Sequence, residues 1–359
     1  MRDEKRGVVV AMSGGVDSSV AAALLVERGF RVTGVTFRVW EEGAATPRGR
    51  VRLFSDPEEA ARVAGRLGVE HRVIDLRERF TSEVVEPFAR EYLRGRTPNP
   101  CVECNRRVRF PALMEAIRAL DADLIATGHY ARMGGEEGES PSLLRASSVG
   151  KDQSYVLYGM SREELRHCVF PNGDLAKSEI MEAAAARGFD AAERVESQEI
   201  CFLHGGNYRE FLAVRYPEAL SPGPVLDTFG REIGEHRGIA FYTVGQRRGL
   251  GVSAPHPLYV VRLDPDENAV VLGRGDEVPG DYLRASGTHW AGSRPPASSF
   301  EARAMVRYNS RPAPCRVEVT DGGFELRFGE RVWALTPGQH AVLYSGDEVL
   351  GGGVIESVL

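Results

Sequence analysis

Three cysteines stand in settings where a thiol could do chemistry. Cys101 and Cys104 form a Cys-x-x-Cys pair in the segment Thr97-Pro-Asn-Pro-Cys-Val-Glu-Cys-Asn105, and Cys201 follows much later in Ser197-Gln-Glu-Ile-Cys-Phe202. A thiolate is both a nucleophile and a metal ligand. Cysteines that the fold brings together can therefore carry sulfur, exchange disulfides or hold a metal.

The residue pattern is compatible with three kinds of site. In the first, Cys104 and Cys201 are a redox-active pair in sulfur chemistry. In the second, four residues form a zinc site with Cys-x-x-Cys and Cys-x-x-His spacing: Cys101, Cys104, Cys201 and His204. In the third, the three cysteines hold an iron–sulfur cluster, such as [4Fe-4S], with one open iron position.

The environment of Cys104 predicts an activated thiol. Two prolines push the preceding residues towards extended backbone, so a helix is expected to begin at about Asn105. Cys104 would then lie just ahead of a helix start, where the helix dipole lowers the pKa of a thiol. The cations of Arg106, Arg107 and Arg109 are expected to act in the same direction.

A second candidate site is the glycine-rich loop Ala11-Met-Ser-Gly-Gly-Val-Asp-Ser-Ser19. Gly14 and Gly15 allow a tight turn close to an anion, and the following helix supplies N–H groups and a positive dipole end. The serine hydroxyls add hydrogen-bond donors. The loop has neither the Gly-Lys-Ser/Thr of kinase P-loops nor a GxGxxG pattern. It is predicted to bind pyrophosphate, with Asp17 holding Mg²⁺ or the loop backbone.

Alternating strands and helices must position these segments. Predicted strands lie at 8–12, 32–39, 72–76 and 124–127, and a predicted helix lies at 16–28. A second helix is predicted after Asp56, its N-cap, with Pro57 in its first turn. This alternation predicts an α/β fold with a doubly wound parallel sheet and ligands at the carboxyl ends of its strands. His129 follows one strand and is expected at that edge.

The second half of the chain has a different residue pattern from the first half. After Pro217, short apolar runs are separated by Gly, Pro, Asp and Asn, and they predict strands at 259–263, 269–272, 300–307, 316–320, 324–328 and 341–345. Asp321-Gly-Gly323 predicts a hairpin between two of them. This half is expected to be mainly β, in two small units.

The composition narrows the class of protein. The chain has 359 residues and a net charge of −6, which excludes a globally basic nucleic-acid binder. Arginine clusters at 94–109 and 303–316 still indicate local contacts with phosphates and bases. Five cysteines exclude a disulfide-stapled secreted scaffold, and Cys168 and Cys315 are expected to be buried apolar residues. No apolar run is long enough for a membrane helix, so a cytoplasmic protein is expected.

Six motifs occur in an order that resembles one family over nearly the whole chain. They are SGGVDS, TPNPCVECN, ATGHYAR at 126–132, KDQSYVLY at 151–158, SQEICF and GQRRGLGV at 245–252. The first is similar to the loop of the PP-loop ATP pyrophosphatases, which cleave ATP to AMP and pyrophosphate and adenylate a substrate oxygen. Together the motifs resemble the tRNA-specific 2-thiouridylase family, bacterial sulfurtransferases that thiolate the wobble uridine (U34) of tRNA.

The resemblance implies an architecture and a set of partners. It implies a PP-loop catalytic domain at 1–217, a small central β domain at 218–280 and a C-terminal β-barrel at 281–359 that contacts tRNA. It implies ATP and Mg²⁺ as cofactors, the tRNA anticodon loop as substrate, and a sulfur-relay protein or cysteine desulfurase as sulfur donor. A cluster-dependent thiolase stays an alternative. A non-thiolating PP-loop ligase and a metal-bearing RNA-binding protein are two more.

The resemblance also assigns roles to residues. Cys104 matches the catalytic nucleophile, and Cys201 matches the cysteine that carries a persulfide. The ATP-binding residues would be Ala11, Met12, Ser13, Gly14, Gly15, Val16, Asp17, Ser18, Phe37 and Gly128. The tRNA-binding residues would be Asn99, Pro100, Cys101, His129, Lys151, Asp152, Gln153, Arg307, Tyr308 and Gln339. Many members have Asp where this chain has Cys101, and a thiol does not suit a general-base role there.

Overall fold

A parallel sheet forms the first part of the protein. The computed structural model describes residues 6–40, 55–135, 140–189, 200–203 and 207–358. The sheet is five-stranded in the order β3-β2-β1-β4-β7, and its pairings are parallel. Its strands are β1 Gly7–Ala11, β2 Arg31–Arg38, β3 Glu70–Asp75, β4 Leu124–Thr127 and β7 Cys168–Val169. The predicted doubly wound sheet is confirmed.

Helices cover both faces of this sheet. They are α1 Val16–Glu27, α2 Pro57–Leu67, α3 Arg77–Phe80, α4 Glu86–Leu93, α5 Pro100–Glu103, α6 Phe110–Ala119, α7 Ser154–Leu157, α8 Arg162–His167, α9 Lys177–Ala186 and α10 Tyr208–Arg215. Neighbouring residues of β1 face opposite ways, as in any strand. Val8 therefore packs in one hydrophobic core with α1, α2 and α9, and Val9 packs in another with α4 and α6.

The helix after Asp56 forms as predicted. The Asp56 side chain accepts a hydrogen bond from the backbone N–H of Glu59, and Pro57 opens the helix. Gly68 ends it with a left-handed φ of 67°. Both ends are thus set by local side-chain and backbone chemistry that can be read from the sequence.

The cysteine-bearing helix begins earlier than the sequence suggested. It starts at Pro100, and the Asn99 side chain caps it by accepting from the N–H groups of Cys101 and Val102. A π-helical segment at Cys104–Arg109 follows, and α6 continues from it. The prediction of a start at about Asn105 is wrong because Asn99-Pro100 already provides the N-cap and the first turn. Cys104 therefore lies inside the helix. A second π segment, Thr81–Val85, joins α3 to α4.

A small second sheet follows. It has the strand order β10-β11-β8-β9, with β8 Gly223–Asp227, β9 Glu232–His236, β10 Tyr259–Asp264 and β11 Ala269–Gly273. Val225, Val260, Val270 and Leu272 fill its core. Short 3-10 turns lie at Val149–Lys151, Pro217–Ala219, Ile239–Phe241 and Gly275–Glu277.

The C-terminal unit is a closed antiparallel barrel. Its strands are β12 Gly280–Trp290, β13 Ser299–Met305, β14 Ala313–Thr320, β15 Gly323–Val332, β16 His340–Ser345 and β17 Glu348–Val358. Pairing of β12 with both β15 and β17 closes it. The predicted hairpin is confirmed, with Thr320 opposite Gly323. The strand expected at 300–307 ends at Met305, because Ser310 Oγ accepts from the N–H groups of Val306 and Arg307 and turns the chain.

A hairpin from the first part of the chain extends the barrel sheet. It consists of β5 Ala131–Gly134 and β6 Ser142–Arg145, and β6 pairs with β17. Arg96 adds an ion pair to Glu356 of β17. The barrel is thus tied to the segment that leads into the cysteine helix. In the part of the chain that the structure describes, no helix combines the length and the apolar character needed to cross a bilayer.

Candidate active site

The glycine loop is shaped by its own side chains. Gly14 has a φ of 78°, and a Cβ there would lie 2.8 Å from the backbone oxygen of Asp56. Ser18 Oγ accepts from the N–H of Ser13 at 3.1 Å and donates to the carbonyl of Gly15 at 3.0 Å. Ser19 Oγ donates to the same carbonyl. The hydroxyls of Ser18 and Ser19 therefore hold the loop, whereas the sequence suggested that they serve as donors to an anion.

The amino end of α1 faces this loop without a capping side chain. Its N-cap residue is Gly15, which offers no acceptor to the first-turn N–H groups. Helix N-termini of this kind bind anions through free N–H groups and the helix dipole. The cradle is therefore a main-chain feature, as a phosphate site requires.

Gly128 lies directly against that helix start. A Cβ at Gly128 would lie 2.7 Å from the carbonyl carbon of Asp17 and 2.7 Å from the nitrogen of Ser18. Asn172 Nδ2 donates to the carbonyl oxygens of Asp17 and Gly128, at 2.9 and 3.1 Å. Only glycine permits this approach between the end of β4 and the start of α1.

The Asp17 carboxylate is held by two residues that the sequence did not single out. Its Oδ1 accepts from the Tyr130 hydroxyl at 2.6 Å and from Lys177 Nζ at 2.7 Å. Lys177 is the first residue of α9, so the ion pair joins two helix starts at the sheet edge. These partners are side chains outside the loop, and the role of Asp17 in holding Mg²⁺ or the loop backbone stays a prediction. Lys177 gave no sequence signal, and Tyr130 was seen only as part of the ATGHYAR motif, without a role of its own.

The three candidate cysteines are placed together. Cys101 is exposed, Cys104 is 9% exposed and buried, and Cys201 is half-buried. Burial raises the pKa of the Cys201 thiol well above its usual value, and the nearby thiols of Cys104 and Cys101 raise it further. The crowded surroundings of the sulfur, with a smaller contribution from Cys104, raise the pKa of Cys101 to about 11, although the residue as a whole is exposed. All five cysteines of the chain are free.

Cys104 is not the thiolate that the sequence suggested. Burial raises the pKa of its thiol, and Arg109 opposes that shift without overcoming it. The other two arginines form ion pairs instead: Arg107 with Glu103 and Glu83, and Arg106 with Glu103. The helix-start argument also fails because Cys104 lies in the second turn.

Arg109 connects the cysteine helix to the sheet. Its Nη1 donates to Asn105 Oδ1 at 3.0 Å and to His129 Nε2 at 3.2 Å. Since Nε2 accepts, Nδ1 carries the proton and donates to Thr127 Oγ1 at 2.8 Å. Burial and the charge of Arg109 lower the pKa of His129 to about 3, so the imidazole is neutral. Asn105, itself buried, donates to the Val156 carbonyl at 3.0 Å.

An aromatic cluster anchors the segment that carries Cys201. Phe202 is 1% exposed, and its ring centroid lies 5.1 Å from Phe88, 5.6 Å from Phe211 and 5.8 Å from Phe80. Trp40 packs on the same ring at 6.0 Å. The neighbouring residue, Cys201, is therefore held against the core that contains Cys104.

Metal binding finds no support in this arrangement. Across the described ranges, no three Cys, His, Asp or Glu side chains are placed to hold a metal ion. His204, the fourth residue of the zinc interpretation, lies outside the described residues. The iron–sulfur interpretation stays a prediction without a matching ligand set here. Cys168 and Cys315 are buried in β7 and β14, as expected for apolar residues.

The remaining residues predicted to bind ATP line the strand ends. Ala11 ends β1, Met12 is buried behind it, and Val16 opens α1. Phe37 is buried near the end of β2. These positions agree with a nucleotide site at the carboxyl edge of the sheet.

The residues predicted to bind tRNA fall into two groups. One group borders the cysteines: Asn99, Pro100, Cys101 and His129. The other group comes from two segments, the one before α7 and the barrel, and of its members Tyr308 packs on Tyr155 and Gln339 bonds to Thr97. The group consists of Lys151, Asp152, Gln153, Arg307, Tyr308 and Gln339.

Several members of the second group have structural partners. Asp152 pairs with Arg145, and Gln153 Oε1 accepts from the N–H of Tyr130. Gln339 Nε2 donates to the Thr97 carbonyl at 2.8 Å. Arg307 donates to Thr336 Oγ1 at 2.6 Å, whereas the Tyr308 side chain next to it is 36% exposed.

A parallel sheet with an uncapped helix start and a glycine cradle at its carboxyl edge defines a nucleotide-binding α/β protein. Residues 6–205 match the family model described as a tRNA methyl transferase HUP domain. Residues 209–274 match a tRNA methyl transferase PRC-barrel domain, and residues 280–355 match an aminomethyltransferase beta-barrel domain.

Curated relatives extend over almost the entire chain. The tRNA-specific 2-thiouridylase MnmA of Heliobacterium modesticaldum is 46% identical over 98% of this chain and 92% of its own length. That of Moorella thermoacetica is 46% identical over 98% of this chain and 99% of its own. A solved 4-thiouridine synthetase–RNA complex with bound ATP has 19% identity and a TM-score of 0.36, over 51% of this chain and 41% of that one. The chain belongs to the tRNA-specific 2-thiouridylase family of sulfurtransferases.

Proposed function

We propose that this protein thiolates C2 of the wobble uridine of tRNA, consuming ATP and giving 2-thiouridine, AMP and pyrophosphate. One observation carries the proposal. Two adjacent residues after β4 contact both halves of the site: Gly128 packs on the glycine loop, and His129 bonds to Arg109 of the cysteine helix. A nucleotide held by the loop and a base placed over the cysteines would therefore meet at one strand end.

ATP fits the loop for three reasons. The α1 start has no side-chain cap, Gly14 adopts a left-handed φ, and Gly128 leaves space that a Cβ would fill. The triphosphate would lie on main-chain N–H groups, with the adenosine near Met12 and Phe37. Mg²⁺ would neutralise phosphate charge. Asp17, already paired with Lys177, orders the loop in this arrangement.

The first chemical step activates the base. The uridine, flipped out of its stack, presents its C2 oxygen to the α-phosphate of ATP. Attack forms an adenylated base and releases pyrophosphate. When sulfur attacks C2 in the second step, the C2–oxygen bond breaks with AMP as the leaving group, which is far better than oxide.

The second step delivers sulfur. A sulfur-relay protein or cysteine desulfurase loads Cys201 as a persulfide. Either the terminal sulfur attacks C2 and Cys104 then cleaves the S–S bond, or Cys104 attacks Cys201 Sγ first and the released hydrosulfide attacks C2. Both routes displace AMP and leave a Cys104–Cys201 disulfide, which an external reductant must open.

The tRNA would span the sheet domain and the barrel. Residues bordering the cysteines would contact the target uridine, while Lys151, Arg307 and Tyr308 would contact the anticodon stem-loop. The proposed domains are 1–217, 218–280 and 281–359. The free state of all five cysteines suits a cytoplasmic enzyme, because thiols stay reduced there.

Cysteine replacements test the assignment. Cys104→Ser and Cys201→Ser should each abolish 2-thiouridine, measured by nucleoside analysis of tRNA from cells in which the variant replaces the natural chain. Cys315→Ser, in the barrel core, is the matched control and should retain thiolation. ATP–pyrophosphate exchange with tRNA should survive Cys201→Ser. Normal thiolation by either site variant would refute the proposal.

A further inference from the structure

Cys101 has no part in either route described above, yet it is the most exposed of the three cysteine residues of the site. Cys101 is exposed, Cys201 is half-buried and Cys104 is buried. A disulfide between the two less accessible thiols is difficult for an external reductant to reach. A more exposed thiol that takes over this disulfide by exchange would make it accessible to the reductant.

The helix places Cys101 next to Cys104. Residues three apart on a helix are neighbours, with Cβ atoms roughly 5–6 Å apart. A disulfide needs a Cβ–Cβ distance of roughly 3.5–4.5 Å, so a small local movement is required. Cys104 is the first residue of the π segment Cys104–Arg109, where the regular helix is already broken.

We propose that Cys101 is the resolving cysteine of this enzyme: it takes over Cys104 from the Cys104–Cys201 disulfide and presents a Cys101–Cys104 disulfide to a dithiol reductant. The inference rests on the proposed function, because that reaction produces the first disulfide. It gives a role to the Cys-x-x-Cys motif that the thiolation chemistry leaves unused.

The exchange balances without any added oxidant. The Cys101 thiolate attacks Cys104 Sγ, the Cys101–Cys104 bond forms, and the Cys104–Cys201 bond breaks. Cys201 leaves as a thiolate and takes up the proton that Cys101 lost, ready for a new persulfide. A dithiol then attacks the Cys101 sulfur, supplies two electrons and two protons, and becomes a disulfide itself.

Arg109 favours this sequence of events. Its charge lowers the pKa of all three thiols, against the opposing effect of burial. Each exchange step expels a thiolate, and a nearby guanidinium stabilises whichever sulfur leaves. The network through Asn105 and His129 fixes that guanidinium beside the cysteines.

Peptide mapping after one turnover tests the proposal. The persulfide-loaded enzyme is given ATP and tRNA without reductant, then acid-quenched, alkylated and digested with trypsin. Cys101 and Cys104 share the peptide 97–106, whereas Cys201 lies in 195–209. We expect an internal disulfide in 97–106 and an alkylated 195–209. A cross-link between the two peptides as the sole final product would overturn the proposal.

The Cys101→Ser variant provides the second readout. It should retain the cross-link between the two peptides, and dithiothreitol should reduce that disulfide about tenfold more slowly than it reduces the oxidised wild type. Cys315→Ser should match the wild type in both measurements. Equal reduction rates for Cys101→Ser and wild type would contradict a resolving role.

Oxidation without tRNA separates this inference from the proposed function. Reduced enzyme treated with one equivalent of diamide should equilibrate to the same internal disulfide in 97–106. If it does so while tRNA thiolation is absent, the proposed function fails and the exchange stands. If thiolation proceeds and only the cross-link to 195–209 forms, the resolving role fails.

Discussion

Arg109 Nη1 lies 3.2 Å from His129 Nε2, and this contact ties the cysteine-bearing helix to the segment that follows strand β4. The imidazole must be neutral to accept that bond, and burial together with Arg109 lowers its pKa to about 3. The contact therefore persists across the physiological pH range. It places one cation beside three thiols, where its charge opposes, without overcoming, the rise in their pKa values that burial causes.

Replacing Arg109 should make the site thiols less reactive. In Arg109→Gln the pKa values of Cys101 and Cys104 should rise, because the opposing charge is lost. Alkylation of the peptide 97–106 by iodoacetamide at pH 8 should slow by roughly three- to tenfold, since one pKa unit is a tenfold change in thiolate fraction.

Arg107→Gln is the matched control for that measurement. Arg107 lies two residues before Arg109 on the same helix, on a different face, and pairs with Glu83 and Glu103 at the surface. Its alkylation rate should equal that of the wild type, and Arg109→Lys should recover part of the lost rate. Identical rates for the two glutamine variants would rule out the role given to Arg109.

Phe202 should hold Cys201 in a position where its thiol can form a disulfide with Cys104. Truncation to Ala removes a ring packed within 6.0 Å of four aromatic neighbours. The loss should cost about 3–5 kcal/mol of stability and loosen the Cys201 segment. Diamide should then give less cross-linking between peptides 97–106 and 195–209 in the Cys101→Ser background.

Phe324→Ala separates stability from positioning. Phe324 is as buried as Phe202, at 1%, but lies in the barrel core. A comparable loss of stability is expected, with cross-linking unchanged below the unfolding temperature. If both variants lower cross-linking equally, Phe202 acts through stability alone.

His340 should make the protein less stable in mild acid. It is 2% exposed, its Nδ1 bonds to the Tyr158 hydroxyl at 2.8 Å, and burial lowers its pKa to about 4. The unfolded chain takes up the proton below about pH 6.5 while the folded chain does not. Stability should therefore be lost as pH falls from about 6.5 to about 4, at up to about 1.4 kcal/mol per pH unit.

Thermal unfolding between pH 7.5 and 4.5 measures this effect. His340→Asn should flatten the decrease of Tm with pH, because no imidazole is then buried at the contact between α7 and the barrel. His256→Asn, at an exposed position, should follow the wild-type curve. A His340→Asn curve parallel to the wild type would show that other groups determine the acid sensitivity.

Local chemistry explains what the sequence predicted well. The strands of the parallel sheet, the Asp56 cap and the hairpin at Asp321-Gly322 depend on residues within a few positions of one another. The glycine loop also forms as predicted, because left-handed φ and close backbone approach are properties of Gly14 and Gly128 themselves. The order of the six motifs also indicated the family, since each motif is a short run of neighbouring residues.

The sequence by itself thus predicted the class of fold, the glycine loop at the carboxyl edge of the sheet and three cysteines that the structure places near one another. Only the tertiary structure decided how buried these cysteines are and in which direction the pKa values of their thiols are shifted. Cys104 and Cys201 are buried by residues from α4, α6 and the aromatic cluster around Phe202. This burial raises the pKa of both thiols, and the charge of Arg109 does not reverse the rise. The structure also shows which arginine of the cluster acts on the thiols, because the charge of Arg109 lowers the pKa of all three. Such long-range desolvation and pairing have no signature in residue spacing, since they depend on which distant segments the fold brings together.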